Sequence, residues 1–360
     1  MVMQDGGTVD VRPGTDPGRA APEHHGAYRV TALSLALYAG ALIAWTFRGI
    51  VQGDGGIGDF LEGLFNPVAS TGPQTLGPYE WSFTAMLLVV AGLALAQRRM
   101  ARSAALLSAV LLLAGVLPEA VGLFDAGYRS QYRGDPLGGW TLATHGLGLM
   151  VALAVLCAML PATERRGGPA ADRRGEPGTD RRAGPGTDRR AVGPDACRRR
   201  ASMVGGALFV VLGLTRLGWA VRTLTAGELE ASRSLRALVD DSVLGTPSLA
   251  PPAEFTTVSS VAVLLVLGLL ALRARHDVRG ALLVFAGIEL YMTVREVVGL
   301  TVSGFFNRSF ETTEGALSLA TTAYALAAMT SVVVLATGRG SGPYGGQRAE
   351  GFRTAQAGRS

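Results

Sequence analysis

Two glutamates sit near the ends of apolar runs, in phrases that echo each other. The first is Glu119 in "LPEAVGL", Leu117 to Leu123; the second is Glu296 in "VREVVGL", Val294 to Leu300. A carboxylate taken out of water can titrate near neutral pH. Such a group can serve as a general acid or as a proton-linked gate. The other ionisable residues inside apolar runs are few: Arg48, His145, Arg216, Arg222, Glu289 and Arg295. Ionisable groups in spanning helices face protein or water and mark functional sites.

Their spacing suggests pairings. Arg48 and Glu119 have counterparts in Arg222 and Glu296, which predicts one structural ion pair in each half of the chain, a guanidinium bridging two carboxylate oxygens. Glu289 lies seven residues before Glu296, on the same helical face. Arg216 stands at nearly the matching depth, so an Arg216–Glu289 pair is expected below the first. Arg295 and His145 then remain to meet an anionic group, with Tyr291 and Thr293 adding polar contacts. Glu119, Glu296 and His145 are the candidates for catalysis; Arg295, His145, Arg216, Glu289 and Tyr291 are those for substrate binding. Pro118, which has no N–H, predicts a bend at Glu119.

The elements that must hold these groups are membrane helices. The chain has 360 residues, 48% hydrophobic and only 17% charged. A bilayer core needs about 20 apolar residues per helix. Eight such blocks occur, at 30–50, 81–97, 104–124, 140–160, 203–223, 257–273, 280–302 and 316–337. The fold class expected is all-α, a polytopic membrane protein of eight transmembrane helices.

Four paired phrases predict an internal repeat. "IAWTFR" (Ile43 to Arg48) matches "LGWAVR" (Leu217 to Arg222), and "RSAALL" matches "RGALLV". "LPEAVGL" matches "VREVVGL", and "LAT" recurs at Leu142 and Leu319. The last three pairs share one numbering offset; the first differs by a short loop. An even number of spans per half makes this a parallel repeat about an axis along the membrane normal. The expected organisation is a disordered tail at 1–29, a four-helix repeat at 30–160 and a disordered Arg/Gly/Pro-rich linker at 161–202. A second four-helix repeat at 203–337 and a disordered tail at 338–360 complete it. Short amphipathic helices are expected in "GDFLEGLFNP" and in 228–247.

Every one of the 33 basic residues is Arg, and they crowd the loops at 98–103, 161–202 and 274–279. The positive-inside rule then places both termini in the cytoplasm of a bacterial inner membrane. The net charge of +5 belongs to this topology and not to nucleic-acid binding. The partners expected are the lipid bilayer, anionic headgroups at the Arg-rich linker and a small-molecule or lipid substrate. No phosphate loop, zinc-protease helix or paired histidines point to a cofactor, and no residue set has metal-ligand spacing. The functions this leaves are three. One is binding or transport of a small amphiphilic or anionic solute through a polar cavity between the halves. The second is a membrane-embedded enzyme acting on a lipid or isoprenoid with a glutamate general acid. The third is a noncatalytic membrane subunit.

Overall fold

Each apolar block folds as one long helix. The computed structural model describes residues 18–52, 56–69, 76–162, 194–226, 232, 236, 239–240, 249–273, 277–307 and 309–337. The long helices are α1 (His25–Gln52), α3 (Pro78–Leu95), α4 (Met100–Gly122) and α6 (Gly138–Met159), then α7 (Pro194–Ala226), α8 (Ala253–Arg273), α9 (Arg279–Val302) and α10 (Thr313–Thr337). Two short helices, α2 (Ile57–Phe65) and α5 (Ala126–Gly134), lie in the connections.

Seven of the long helices are long and apolar enough to cross a membrane. The exception is α9, which has 24 residues but carries Glu289, Arg295 and Glu296. The expectation of eight spans thus becomes seven by apolarity, with α9 set apart by its charges. The exterior is apolar too: Leu33, Leu37 and Met150 are 67%, 60% and 70% exposed. Helices that are hydrophobic on all sides need a bilayer as solvent, and this is the architecture of an integral membrane protein.

Local chemistry sets the helix starts. Gly77 precedes α3 and Pro78 occupies its first turn, where a missing N–H costs nothing. Asp125 caps α5 by accepting from the Tyr128 N–H at 2.8 Å. Asp59 accepts from the Gly56 N–H at the start of α2. α4 runs on through Pro118 to Gly122; what the proline removes is the donor for the Ala114 carbonyl one turn earlier.

Packing falls into two sets. In the first, α1 packs on α3 and α6, and α4 on α6 and α3. In the second, α7 packs on α8 and α10, and α9 on α10. The sets meet through α4 against α9 and α3 against α9. The core joins Leu35, Leu87, Val90 and Ala104 to Phe209, Leu264, Phe285 and Met329. α7 and α8 approach closely, since a Cβ on Gly206 would lie 2.7 Å from the Gly268 carbonyl oxygen. Small residues let two membrane helices touch backbone to backbone in this way.

Two boundaries need correction. Part of segment 1–29 is ordered: Pro22–His24 form a 3₁₀ turn leading into α1, and the Ala20 N–H donates to the Gln97 carbonyl at 2.8 Å. Arg99 Nε also donates to the Arg19 carbonyl, so the turn between α3 and α4 anchors this stretch. α7 begins at Pro194, inside the segment read as linker; Pro at a first helical position favours such a start. Residues 163–193 and 338–360, and most of 228–247, lie outside the described residues.

Candidate functional site

The polar groups at the acid-rich end of the bundle form three separate clusters. The first is built on Glu119. Its carboxylate is 2% exposed and accepts the Tyr128 hydroxyl at 3.1 Å and the Tyr132 hydroxyl at its other oxygen. Both tyrosines stand on α5, four residues apart and therefore on one face. The structure does not bring Arg48 to Glu119. Arg48 is exposed and donates to Gln52 one turn on, at 3.2 Å, while both Glu119 oxygens are already taken.

The second cluster is the Arg216–Glu289 ion pair, which the structure does form. The Arg216 Nη1 lies 2.5 Å from Glu289 Oε2. Ser260 on α8 links the two: its hydroxyl accepts from Arg216 at 2.9 Å and donates to Glu289 at 2.6 Å. Glu289 is buried and Arg216 is 28% exposed. Three helices of the second set thus meet at one charge-neutral knot.

The remaining charges are occupied elsewhere. Arg222 does not meet Glu296; it pairs with Glu314 at 2.9 Å on the exposed surface and lies over the Trp219 ring. Glu296 accepts the Thr322 hydroxyl at 3.1 Å. Arg295 and Tyr291 hold α2: Tyr291 donates to the Leu64 carbonyl at 2.7 Å and Arg295 to the Gly63 carbonyl at 3.4 Å. These are carbonyls of the last turn of α2, which lack helical donors and carry the negative end of its dipole. Phe65 adds an edge-on contact with Tyr291. The pair Tyr291→Phe and Arg295→Met is therefore expected to loosen α2 locally by about 1–3 kcal/mol, in the range of one or two hydrogen bonds. Hydrogen exchange checks this: amides of Leu61 to Phe65 should exchange faster while α9 is unchanged, and equal rates would refute the clamp.

The third cluster surrounds a cavity of about 60 Å³ lined mainly by the first helix set. Tyr38 and Leu42 of α1, Tyr79, Glu80 and Phe83 of α3, Leu112 and Gly115 of α4, and His145 of α6 line it. Leu249 and Pro251, ahead of α8, close it. Glu80 and His145 are each 8% exposed. Glu80 accepts from the Gly77 N–H at the head of its own helix and acts electrostatically on Tyr38 and Tyr79. Glu119 acts electrostatically on His145. The His145 Nδ1 is buried with no hydrogen-bond partner. A buried polar atom without a partner is uncommon and calls for an explanation.

Sequence reasoning named His145 and Glu119 but missed Glu80, Tyr38, Tyr79, Tyr128, Tyr132 and Ser260. For Glu80 a signal existed. "PYEWSF" at Pro78 and "PAEFTT" at Pro252 stand at the same place before the second long helix of each set. The acid is part of the helix and not of the loop before it. Compared with family models, curated proteins and solved structures, the chain has no match.

Proposed function

We propose that this membrane protein binds a small polar solute in the cavity of its first helix set and carries it between the two sides. The observation that carries this reading is the His145 Nδ1, buried without a partner beside the buried Glu80 in a cavity of about 60 Å³. A water needs about 15 Å³ of such space, so there is room for about four waters or one small solute. An acyl or isoprenoid chain needs a long groove, and for that reason we favour a solute over a lipid substrate. The first helix set supplies most of the cavity wall, from α1, α3, α4 and α6, and Leu249 and Pro251 of the second half complete it.

The proposal includes a parallel repeat, with α9 as the eighth span. Its support is geometric. The packing pairs α1–α3, α1–α6 and α4–α6 recur as α7–α8, α7–α10 and α9–α10, and α4 meets its own counterpart α9 at the centre. A Cβ on Gly138 would meet the Tyr132 carbonyl, and a Cβ on Gly315 would lie 2.6 Å from the Ser309 carbonyl, at equivalent positions. Thr322, which occupies the place of His145, bonds Glu296 as the equivalent of Glu119. In the second half the positions of Leu42 and Leu112 hold Arg216 and Glu289, so the equivalent pocket is filled by an ion pair. We further place the Arg-rich end in the cytoplasm, with the 161–202 linker beside anionic headgroups.

Cysteine accessibility tests the cavity. A Cβ at Gly115 meets nothing within 4 Å, so Gly115→Cys fits without strain. In a background with Cys157→Ser and Cys197→Ser, the neutral reagent methyl methanethiosulfonate is expected to modify Cys at 115. Val110→Cys, on the lipid-facing side at 51% exposure, serves as the inert control, because a thiol in hydrocarbon stays protonated. A Gly115→Cys protein as inert as that control would refute a water-reachable site.

A further inference from the structure

We infer that the cavity selects a small cation, of the size of ammonium or a protonated primary amine, and not an anion. The inference rests on the proposed solute site and names its substrate class. Charge accounting carries it. Glu80 lines the cavity directly. Glu119 acts electrostatically on His145 and has both oxygens accepting tyrosine hydroxyls, which fixes it as an acceptor. Among the described residues no arginine lines the cavity. At this end of the long helices Arg216 pairs with Glu289, Arg222 with Glu314, Arg295 bonds the Gly63 carbonyl and Arg48 bonds Gln52, while Arg129 and Arg133 of α5 are exposed. Even a doubly protonated His145 sets one positive charge against two carboxylates. The N-terminus of α3 adds about half a positive charge to Glu80, and the balance stays negative. Glu289, which also acts on Tyr79, is already matched by Arg216.

A buried carboxylate without a counter-charge takes up a proton or a cation. The geometry offers the cation a complete set of contacts. The Glu80 carboxylate supplies the charge, and a neutral His145 Nδ1 accepts one N–H. Tyr79 and Phe83, stacked with ring centroids 6.4 Å apart, and Tyr38 present aromatic surface that favours a desolvated cation. An anion would face the Glu80 carboxylate and aromatic ring faces of its own sign. The small volume excludes large quaternary ammonium ions, which need a wider aromatic cage.

The Gly115→Cys protein carries the test. Its rates with 2-aminoethyl and 2-sulfonatoethyl methanethiosulfonate are each divided by the rate with a free thiol in solution. The cationic reagent is expected to be favoured by about tenfold or more, the scale of electrostatic focusing in a charged cleft. Adding Glu80→Gln should remove most of that preference while the neutral methyl reagent still reacts. In the protein with Glu80 intact, methylammonium chloride should slow the neutral reagent, and sodium methanesulfonate should not. Equal normalised rates, or faster reaction of the sulfonate, would overturn the cation assignment while leaving the cavity in place. Failure of the neutral reagent would instead overturn the site itself, and the cation assignment with it.

Discussion

Replacing Glu289 with alanine is expected to destabilise the protein by about 3–5 kcal/mol, the cost of leaving one partner of a buried ion pair without the other. Arg216 then has Ser260 as its remaining bonded partner, and one hydroxyl cannot neutralise a guanidinium that never releases its proton. Arg216→Ala is expected to cost less, since the stranded Glu289 can bind a proton and discharge itself. The double variant Arg216→Leu with Glu289→Leu should recover most of the loss, because apolar packing often matches or exceeds a buried pair in stability. In the proposed repeat Leu42 and Leu112 hold the equivalent places in the first half, which makes leucine the apt replacement. Unfolding of the purified protein in mixed detergent measures all three. Equal losses in the two single variants, or a double variant less stable than both, would show that the knot is not an isolated charge pair.

That knot was legible in the sequence, and its legibility has a physical basis. Arg216 and Glu289 lie at matching depths in apolar helices, and neither can reach water without cost, so each requires the other. The same argument failed for Arg48 and Glu119. Depth and charge sign matched, but Arg48 lies one turn from the end of α1 and bonds Gln52 in the open. A sequence gives the height of a residue along a helix more surely than the direction in which it points. Two tyrosines on α5 satisfied Glu119 instead, and nothing in the spacing of "AGYRSQYRG" marked that segment as a helix folded back onto α4. Arg295 was misread for a related reason. It looks unpaired along its own helix, and the group it bonds is the Gly63 carbonyl of α2, more than two hundred residues earlier in the chain.

The long helices were legible because block length and apolarity carry that information by themselves. Their ends were less so. The apolar block expected at 81–97 left Glu80 just outside its start, yet the Gly77–Pro78 start draws it into the first turn of α3 and into the bundle. One residue of helix boundary separated a solvated acid from the most suggestive carboxylate in the molecule. The resulting site is asymmetric. The first helix set keeps a hollow with Glu80 and His145; in the proposed repeat Arg216 and Glu289 take its place in the second, where Glu254 is exposed.

Transplanting the filled arrangement should close the open half. Leu42 and Leu112 both line the cavity and are each 4% exposed. The double variant Leu42→Arg with Leu112→Glu is expected to form an ion pair across it, as Arg216 and Glu289 do at the positions the proposed repeat makes equivalent. Labelling of Gly115→Cys by the neutral methyl reagent should then fall to the level of the lipid-facing control, and solute flux should be lost. Stability should fall less than in Leu42→Arg alone, where an unpaired buried guanidinium costs about 3–5 kcal/mol. Leu112→Glu alone should be milder, because the new acid can stay protonated in its apolar surroundings. A folded double variant with undiminished labelling would show that the volume at Leu42 and Leu112 is not the route to position 115. A double variant less stable than both single variants would show that α1 and α4 do not face each other as α7 and α9 do. The parallel-repeat reading would then fail at its centre.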